Sequence, residues 1–445
     1  MVSPPPHLQE HCASNGIRDV ECIFPDVSGY PRGKLVPALT FARGDELRIA
    51  QAIPMQCITG DYSYHPIFPD ADPDIRLVPD YSTFKTVPWT SVPRALAIHD
   101  CVELNGELCQ FAPRSILKQV LARYKAAGLT PVVAPEIEFY LTAPGINPDL
   151  PYTPPAARNG RAENGQSAYS LNMLNELAPF WDEFHAAIDA LGIRADTWLH
   201  EVGMSQYEIN LLHGDPLEVA DQAFLFKYAA REIAIKHGIN AVFMAKPIAR
   251  QPGSSMHLHQ SIVDGNGANI FAADDGDSER LHHFIGGLQK YLPDLMLIFA
   301  PSVNSYRRFV AGSQAPINLH WGADNRTAGL RIPLSGPAAR RVENRIGGAD
   351  ANPYLAIAAS LAAGLAGLEE KCTATDAVDG SAYDQSHDLP PTMPAALQRM
   401  VASAAARRLL GDDFVTAYCA VKELEHDSFL HEISPWERRF LGPQA

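Results

Sequence analysis

The chain has few cysteines and lacks any long apolar run. Its seven cysteines are scattered along 445 residues and never form a Cys-x-x-Cys pair, which argues against a disulfide framework and a thiolate zinc site. No apolar run approaches the length of a membrane span, and the first residues lack the basic and apolar regions of a secretory signal. The sequence therefore predicts a soluble protein of the cytoplasm with no membrane partner.

Basic residues are also in short supply. The 36 lysines and arginines face 51 aspartates and glutamates, and the formal net charge is -15. This balance argues against nucleic acid as a partner. A content of 46% hydrophobic and 20% charged residues is typical of a folded globular protein. Because 445 residues exceed one ordinary core, we expect two domains, 1–110 and 111–445.

Hydrophobic periodicity divides the chain into a strand-rich beginning and a mixed remainder. Residues 18–100 read as short strands separated by turn residues, including a hairpin around 26–31, and 58–80 read as an extended loop. A helix is expected from Pro113 to Ala127, followed by a strand over 131–141. Further helices are expected over 175–191, 218–238, 279–291, 353–371 and 396–422.

Glu136 and Glu138 lie two residues apart within the strand expected over 131–141. Because side chains alternate along a strand, both carboxylates point to one face while Ile137 and Phe139 supply the apolar face. Two carboxylates so close repel each other, and a bound divalent cation is one physical remedy. The pair therefore indicates that the chain is an enzyme.

Two further pairs carry metal-ligating side chains. Glu201 and Glu208 are separated by a glycine turn, a spacing that by itself is more typical of a solvated face. His257 and His259 share one face of an expected strand, where a structural role and a metal or phosphate role are about equally favoured. Neither pair identifies a reaction alone.

Arginines cluster after residue 305, while phosphate-binding glycine loops are absent. The cluster consists of Arg307, Arg308, Arg326, Arg331, Arg340, Arg341 and Arg345. Guanidinium groups bind carboxylates and phosphates through paired hydrogen bonds, although surface ion pairs account for many such residues. No Walker A or dinucleotide fingerprint occurs. Carboxylates, histidines and arginines together fit metal-assisted phosphoryl transfer.

The order of these segments resembles the glutamine synthetase family over most of the chain. The motifs that carry the resemblance are 135–141, 201–209, 243–247 with 253–259, 304–316, 325–333 and 343–354. The resemblance implies an α+β protein, with an N-terminal β-grasp domain and a catalytic domain whose curved antiparallel sheet is flanked by helices. It also implies a homo-oligomeric ring, such as a dodecamer, with active sites between neighbouring subunits.

The resemblance assigns roles to individual residues. The ligands of two divalent ions, magnesium or manganese, would be Glu138, Glu201 and Glu208 for one and Glu136, His257 and Glu343 for the other. Contacts to L-glutamate would come from Gly253, Arg308 and Arg345. Contacts to ATP would come from His259, Ser261, Arg326 and Arg331. Arg326 would also be catalytic, and Asp61 would bind the nitrogen nucleophile.

The chain departs from the family on the loop that closes over the nucleophile. The family pattern Gly-x-Glu-Ala-Pro reads here with Gln314 at the acidic position, and an amide cannot take a proton as a carboxylate would. This departure is similar to the γ-glutamyl-amine branch, which joins glutamate to a small amine, either a monoamine or a polyamine. A true glutamine synthetase that uses ammonia is the alternative, and a non-catalytic ring protein is a weaker one.

Overall fold

The computed structural model describes residues 3–145, 147, 149–273, 276–313 and 315–444. Gln314, one of the candidate catalytic residues, lies outside the described residues. The helices are α1 Leu8–Ser14, α2 Ala38–Arg43, α3 Pro113–Ala126, α4 Leu171–Glu176, α5 Ala178–Leu191, α6 Pro216–Lys236, α7 Glu279–Phe299, α8 Pro353–Glu370, α9 Met393–Ala402, α10 Ala404–Leu410, α11 Asp412–Leu430 and α12 Pro435–Phe440. Short 3-10 helices lie at Ile53–Met55, Tyr81–Thr83, Ser305–Arg308, Pro337–Ala339 and Ala382–Asp384.

Two main sheets and a short hairpin contain the strands. These are β1 Asp19–Pro25, β2 Pro31–Pro37, β3 Leu47–Ala50, β4 Asp74–Pro79, β5 Lys85–Thr86, β6 Arg94–Val102, β7 Thr130–Thr142, β8 Ala195–His200, β9 Gln206–Leu211, β10 Asn240–Val242, β11 Met256–Val263, β12 Ala272–Ala273, β13 Gly276–Asp277, β14 Trp321–Ala323, β15 Leu330–Ile332 and β16 Val342–Asn344. Strands β12 and β13 pair only with each other among the described residues.

The first sheet has the strand order β2-β1-β6-β4-β3, with β5 beside β6. Strands β1 and β2 form the hairpin expected around residues 26–31, and β1 runs parallel to β6. Strand β4 lies inside the segment expected to be an extended loop, because its Ile75 and Leu77 alternate into the core. The boundary expected near residue 110 falls between β6 and α3, where one apolar core continues from the first sheet into α3.

The second sheet has the order β14-β15-β16-β11-β7-β9-β8, with β10 beside β7. Its pairings are antiparallel except that of β14 with β15, which is parallel. Strand β7 confirms the strand expected over 131–141, and its Ile137, Phe139 and Leu141 are fully buried. Helix α6 packs against β7 and α8, so the apolar face of this strand is covered by helices.

Two of the expected helices differ in extent. Helix α7 continues through Pro293 to Phe299, because Leu295, Leu297 and Phe299 remain fully buried beyond the proline. The helix expected over 396–422 is three helices. Ser403 caps α10 by accepting a hydrogen bond from a backbone N–H, and the chain turns again at Gly411 with a φ of 99°. Across the described ranges, no helix combines the length and apolarity that a membrane crossing requires.

Candidate active site

A cavity of about 370 Å³ opens on the polar side of β7, where β9 and β11 flank this central strand. The candidate residues that line it are Glu136, Glu138, Glu201, Glu208, Gly253, His257, Arg308, Arg326 and Arg345. We call it the acidic cavity. Residues that are up to 209 positions apart in sequence are therefore brought to one place by strand pairing.

Three carboxylates form the first group in the acidic cavity. Glu138 on β7 and Glu208 on β9 are direct partners in the antiparallel register. Glu201 follows the last residue of β8, and one oxygen from each of the three side chains lies within 4.8 Å of the others. The glycine turn expected between Glu201 and Glu208 is present as the β8–β9 connection.

The first group is electrostatically unfavourable without a cation. Burial and the charge of Glu201 raise the pKa of Glu138 to about 8, although the Ser255 backbone N–H and hydroxyl donate to this carboxylate at 2.8 and 2.7 Å. Burial, with the charges of Glu136, Glu138 and Glu201, raises the pKa of Glu208 to about 11. A cation held between the three carboxylates would offset both effects.

The turn that presents Glu201 depends on a glycine and on a residue that the sequence did not single out. A Cβ at Gly203 would lie 2.1 Å from the Tyr140 hydroxyl oxygen, so only glycine fits this turn. Glu163 Oε2 lies 3.0 Å from His200 Nε2 and accepts a 2.7 Å hydrogen bond from the Ser205 backbone N–H. Glu163 lies in an irregular segment without a motif, so only the fold reveals its contact with both ends of the turn.

The second group surrounds Glu136. One ligand atom each of Glu136, His259 and Glu343 lies within 4.8 Å of the others, and His259 pairs with Glu343 across β11 and β16. His257 pairs with Glu136 across β11 and β7, and its Nδ1 lies 2.9 Å from Glu136 Oε1 and 3.5 Å from Glu343 Oε1. The structure therefore brings both histidines, rather than His257 alone, to the second pair of carboxylates.

The carboxylates of the second group are ionised by their neighbours. Burial opposes ionisation of Glu136, yet hydrogen bonds from His257 and His259 hold its pKa well below the usual value. Burial likewise opposes ionisation of Glu343, and the charge of Arg345 followed by the two histidines lowers its pKa to about 2. Both carboxylates are therefore available as anionic ligands at neutral pH.

The donor atoms of both groups fit hard divalent cations. The first group offers carboxylate oxygens alone, which suit magnesium or manganese, and the second adds imidazole nitrogens, which manganese also accepts. No cysteine belongs to either group, so a thiolate zinc site is excluded for these residues.

Arg308 and Gly253 form a tight wall of the acidic cavity. The buried Arg308 donates from Nη2 to the Ile346 carbonyl oxygen, while its buried Nε finds no hydrogen-bond partner among the residues described. A Cβ at Gly253 would lie only 2.5 Å from Arg308 Cγ. Arg345 donates from Nη1 to Glu343 Oε1 on the same side of the cavity. An unpartnered guanidinium nitrogen at this wall suits a carboxylate ligand.

The candidate nucleotide-binding residues occupy different surroundings. Arg326 is exposed and lines the acidic cavity, whereas Arg331 is engaged with Glu343 at 2.7 Å and with Asp324 at 3.0 Å. Ser261 lies two residues beyond His259 on the same face of β11 and does not line the acidic cavity.

Asp61 is not brought to the acidic cavity within one chain. It lies exposed in the loop before β4, where its Oδ2 accepts a 2.7 Å hydrogen bond from the Thr59 hydroxyl. Ser313 and Ala315, the neighbours of Gln314 in sequence, do line the acidic cavity.

Comparisons with known proteins agree with this geometry. The family model described as the glutamine synthetase catalytic domain matches residues 110–441. A glutamate–isopropylamine ligase from Pseudomonas sp. is 36% identical over 376 residues, which are 82% of this chain and 80% of the relative. A glutamine synthetase from Pyrococcus abyssi is 32% identical over 432 residues, 94% of this chain and 92% of the relative.

A solved structure, a complex of GmaS with ADP, resembles the chain with a TM-score of 0.83 at 29% identity, covering 97% of this chain and 98% of that one. The match confirms the catalytic fold that the motifs predict, a curved sheet accompanied by helices. The chain therefore belongs to the glutamine synthetase family of ATP-dependent ligases.

Proposed function

We propose that the protein joins the γ-carboxyl group of L-glutamate to a small organic amine through a γ-glutamyl phosphate, at the expense of ATP. The observation that carries the proposal is a combination. The first group, the Glu136 and His257 side chains of the second group, and the Arg308 wall line one cavity, and the sequence carries Gln314 in place of the family's glutamate. A relative over most of the chain is named a glutamate–isopropylamine ligase, which supports an amine as the nucleophile.

In the first step, an oxygen of the glutamate γ-carboxylate attacks the γ-phosphorus of ATP, and the bond from that phosphorus to the bridging oxygen of ADP breaks. Arg308 and Arg345 are the candidates to hold glutamate, because both guanidinium groups lie at the wall of the acidic cavity. Arg326 is exposed at the same cavity and is the candidate to stabilise the charge on the transferred phosphoryl group. Magnesium or manganese, when bound, would neutralise phosphate charge.

The second step distinguishes this chain from an ammonia-using enzyme. The amine nitrogen attacks the carbonyl carbon of the acyl phosphate, the carbon–oxygen bond to phosphate breaks, and the nitrogen loses a proton. A carboxylate at the position of Gln314 would attract an ammonium ion by charge and accept the proton, but an amide does neither. The position of Gln314 is thus better suited to a nucleophile that is recognised by its organic group.

A nucleophile panel tests the proposal. Purified protein with ATP, magnesium and glutamate is given ammonium, methylamine, isopropylamine, ethanolamine or putrescine, and phosphate release is measured together with the mass of the product. We expect an alkylamine to give a kcat/KM at least about tenfold above that of ammonium, a difference of about 1.4 kcal/mol in transition-state binding. Ammonium as the best substrate would contradict the proposal.

A matched pair of variants isolates the role of the loop. Gln314→Glu restores the family's carboxylate, and we expect it to raise kcat/KM for ammonium relative to that for the best amine. Gln314→Ala removes the amide without adding charge and serves as the control for altered loop packing. An unchanged preference in Gln314→Glu would mean that other residues determine the nucleophile.

A true glutamine synthetase is the second candidate function. The observation that favours it is the Pyrococcus abyssi relative, which is named a glutamine synthetase and matches 94% of this chain. The nucleophile panel separates the two functions directly. A non-catalytic ring protein is disfavoured, because every candidate metal-ligating side chain expected for the family is present.

Assembly and location belong to the same proposal. We infer a homo-oligomeric ring, such as a dodecamer, in which Asp61 completes the acidic cavity of a neighbouring subunit. Asp61 is exposed and does not line the acidic cavity of its own chain, which supports this arrangement. The first sheet is proposed as a β-grasp domain over residues 1–110. The seven free cysteines, of which six are buried, support a reducing cytoplasm.

A further inference from the structure

A second and larger cavity lies beyond the 3-10 helix Ser305–Arg308. Its volume is about 870 Å³, and it extends between the β1–β2 turn, helix α6 and helix α11. Arg307 lines this cavity, whereas the next residue, Arg308, lines the acidic cavity. We call the larger space the basic cavity, after Lys227, Arg231 and Arg307, which line it.

Lys227 and Arg231 lie one turn apart on α6 and therefore share a face of the helix. Both cations approach the ring of Phe243, with Lys227 Nζ 5.8 Å and the Arg231 guanidinium carbon 5.1 Å from its centroid. The Arg231 guanidinium also lies 5.7 Å from the centroid of Tyr30. Two like charges at this spacing destabilise a helix unless something compensates them.

The hydrogen-bonding capacity of these cations is only partly used. Lys227 Nζ donates to the Ala349 and Ala351 carbonyl oxygens at 2.7 and 2.9 Å. Arg231 Nη1 is buried and has no hydrogen-bond partner within the described ranges. Burial and the charge of Arg231 lower the pKa of Lys227 to about 7, while Asp350 opposes the effect. An unsatisfied buried donor costs roughly 1–3 kcal/mol, which a ligand acceptor would offset.

Nearby carboxylates are mostly committed to other partners. Asp26 accepts a 2.8 Å hydrogen bond from Arg32 Nε, and Glu425 accepts one of 2.8 Å from Lys422. Asp350 Oδ2 accepts hydrogen bonds from two serine hydroxyls, which leaves only Oδ1 without a partner. Among the described residues, none of Lys227, Arg231 and Arg307 forms an ion pair. The lining therefore has a surplus of positive charge.

A purely structural role for Arg231, in which its guanidinium group stacks between the rings of Tyr30 and Phe243, is the alternative to ligand binding. Stacking explains the contacts that the two faces of the guanidinium group make with the rings. It does not explain why Nη1 has no hydrogen-bond acceptor in a space large enough for a small molecule. Apolar side chains such as Val242, Met244 and Phe429 also line the basic cavity. Cations at one side and apolar groups around them are typical of a site for an anion with an apolar body.

We propose that the basic cavity binds a small organic anion, whose carboxylate or phosphate group contacts Arg231 and whose apolar body packs beside Phe243. The two head groups share the chemistry that a guanidinium group recognises, namely paired anionic oxygens. This site is separate from the acidic cavity and does not depend on the identity of the amine.

Thermal unfolding of the full-length protein in EDTA tests the proposal with four probes. Benzoate and phenyl phosphate have an anionic head and an apolar body, inorganic phosphate has the head alone, and benzyl alcohol has the body alone. We expect at least one of the first two to raise Tm by about 2 °C or more at saturation, and benzyl alcohol to leave it unchanged. Whichever head group gives the larger shift identifies the ligand's anionic group.

Two variants locate the binding. Arg231→Leu removes the unpartnered cation and should abolish the shift, whereas Arg326→Leu alters the acidic cavity and should retain it. An equal shift in wild type and Arg231→Leu, a loss confined to Arg326→Leu, or no shift with any anion would overturn the proposal. If Arg231→Leu does not fold, Arg231→Lys is the variant to test. It keeps the positive charge but lacks the paired N–H donors of a guanidinium group, and it should raise Kd for the anion about tenfold. None of these results bears on the nucleophile panel.

Discussion

Glu138 and Glu208 face each other as direct partners across two antiparallel strands, β7 and β9. Like charges that face each other across two strands destabilise a sheet by up to about 1 kcal/mol, and burial at this position further disfavours the ionised carboxylates. The sequence order of these residues does not show the pairing, because 70 positions separate them. Glu138 and Glu208 therefore ionise together at neutral pH only at an electrostatic cost, which a divalent cation can offset.

Replacing Glu138 with glutamine is predicted to change stability in opposite directions with and without metal. Because the folded-state pKa of Glu138 is raised from 4.5 to about 8, its contribution to stability is present below pH 4.5 and lost as the pH rises through about 8. In EDTA at pH 8, Glu138→Gln should therefore exceed wild type by about 1 kcal/mol in urea unfolding. With magnesium or manganese, wild type should be the more stable protein.

The exposed Glu423→Gln on α11 is the control for loss of one negative charge. It should change neither the pH dependence nor the metal response. A wild-type protein whose stability is unaffected by either metal would show that the first acidic group does not hold a cation under these conditions.

The two histidines of β11 are predicted to have different roles despite their shared surroundings. We expect His257→Asn to weaken manganese binding about 10- to 100-fold, because its imidazole lies between Glu136 and Glu343. His259→Asn should mainly raise KM for ATP. Calorimetric titration of manganese without nucleotide, together with steady-state kinetics, separates these effects. A larger loss of manganese affinity in His259→Asn would reverse the assignment.

Regular period-two alternation in the sequence predicts the faces of a strand correctly. It predicts Glu136 and Glu138 on one face of a strand, and β7 has both residues on one face with Ile137 and Phe139 buried on the other. The periodicity gave no information on which strands pair. For this reason periodicity predicts neither the register of His259 with Glu343 nor the approach of His259 to Glu136, whereas the family resemblance does predict His257 beside Glu136.

Helix ends and functional side chains that belong to no motif are difficult to predict from the sequence. The helix expected over 279–291 continues through Pro293 as α7, because burial of the following apolar residues outweighs the missing backbone donor. Conversely, Ser403 and Gly411 divide a segment whose apolar periodicity suggested one long helix. Glu163 has no pattern around it, and only the fold places it against His200.

Adding a single methyl group at Gly253 is predicted to impair glutamate binding. Its Cβ would lie 2.5 Å from Arg308 Cγ and 2.8 Å from the Ala245 carbonyl oxygen, so Arg308 must move. Gly253→Ala should raise KM for glutamate about tenfold or more while KM for ATP changes little. Gly265→Ala is the matched control, because its Cβ would have no atom within 4 Å. Equal kinetics for both variants would remove Arg308 from the proposed glutamate contacts.

Asp61 gives a test of assembly that does not depend on structure determination. If it completes the acidic cavity of a neighbouring subunit, then Asp61→Ala and Glu136→Ala damage different halves of each shared site. Each variant alone should be nearly inactive. Co-expressed in equal amounts, they should recover activity at about a quarter of the sites, since random assembly pairs two intact halves at that frequency.

Co-expression of Glu136→Ala with Glu138→Ala is the control, because both residues come from one strand and every site in the mixture stays damaged. Recovery only in the mixture with Asp61→Ala would support sites between subunits. Absence of recovery in a mixture shown by mass spectrometry to contain both subunits would place each site within a single chain. Full activity of Asp61→Ala alone would instead remove Asp61 from the reaction, and the nucleophile would then be bound without this carboxylate.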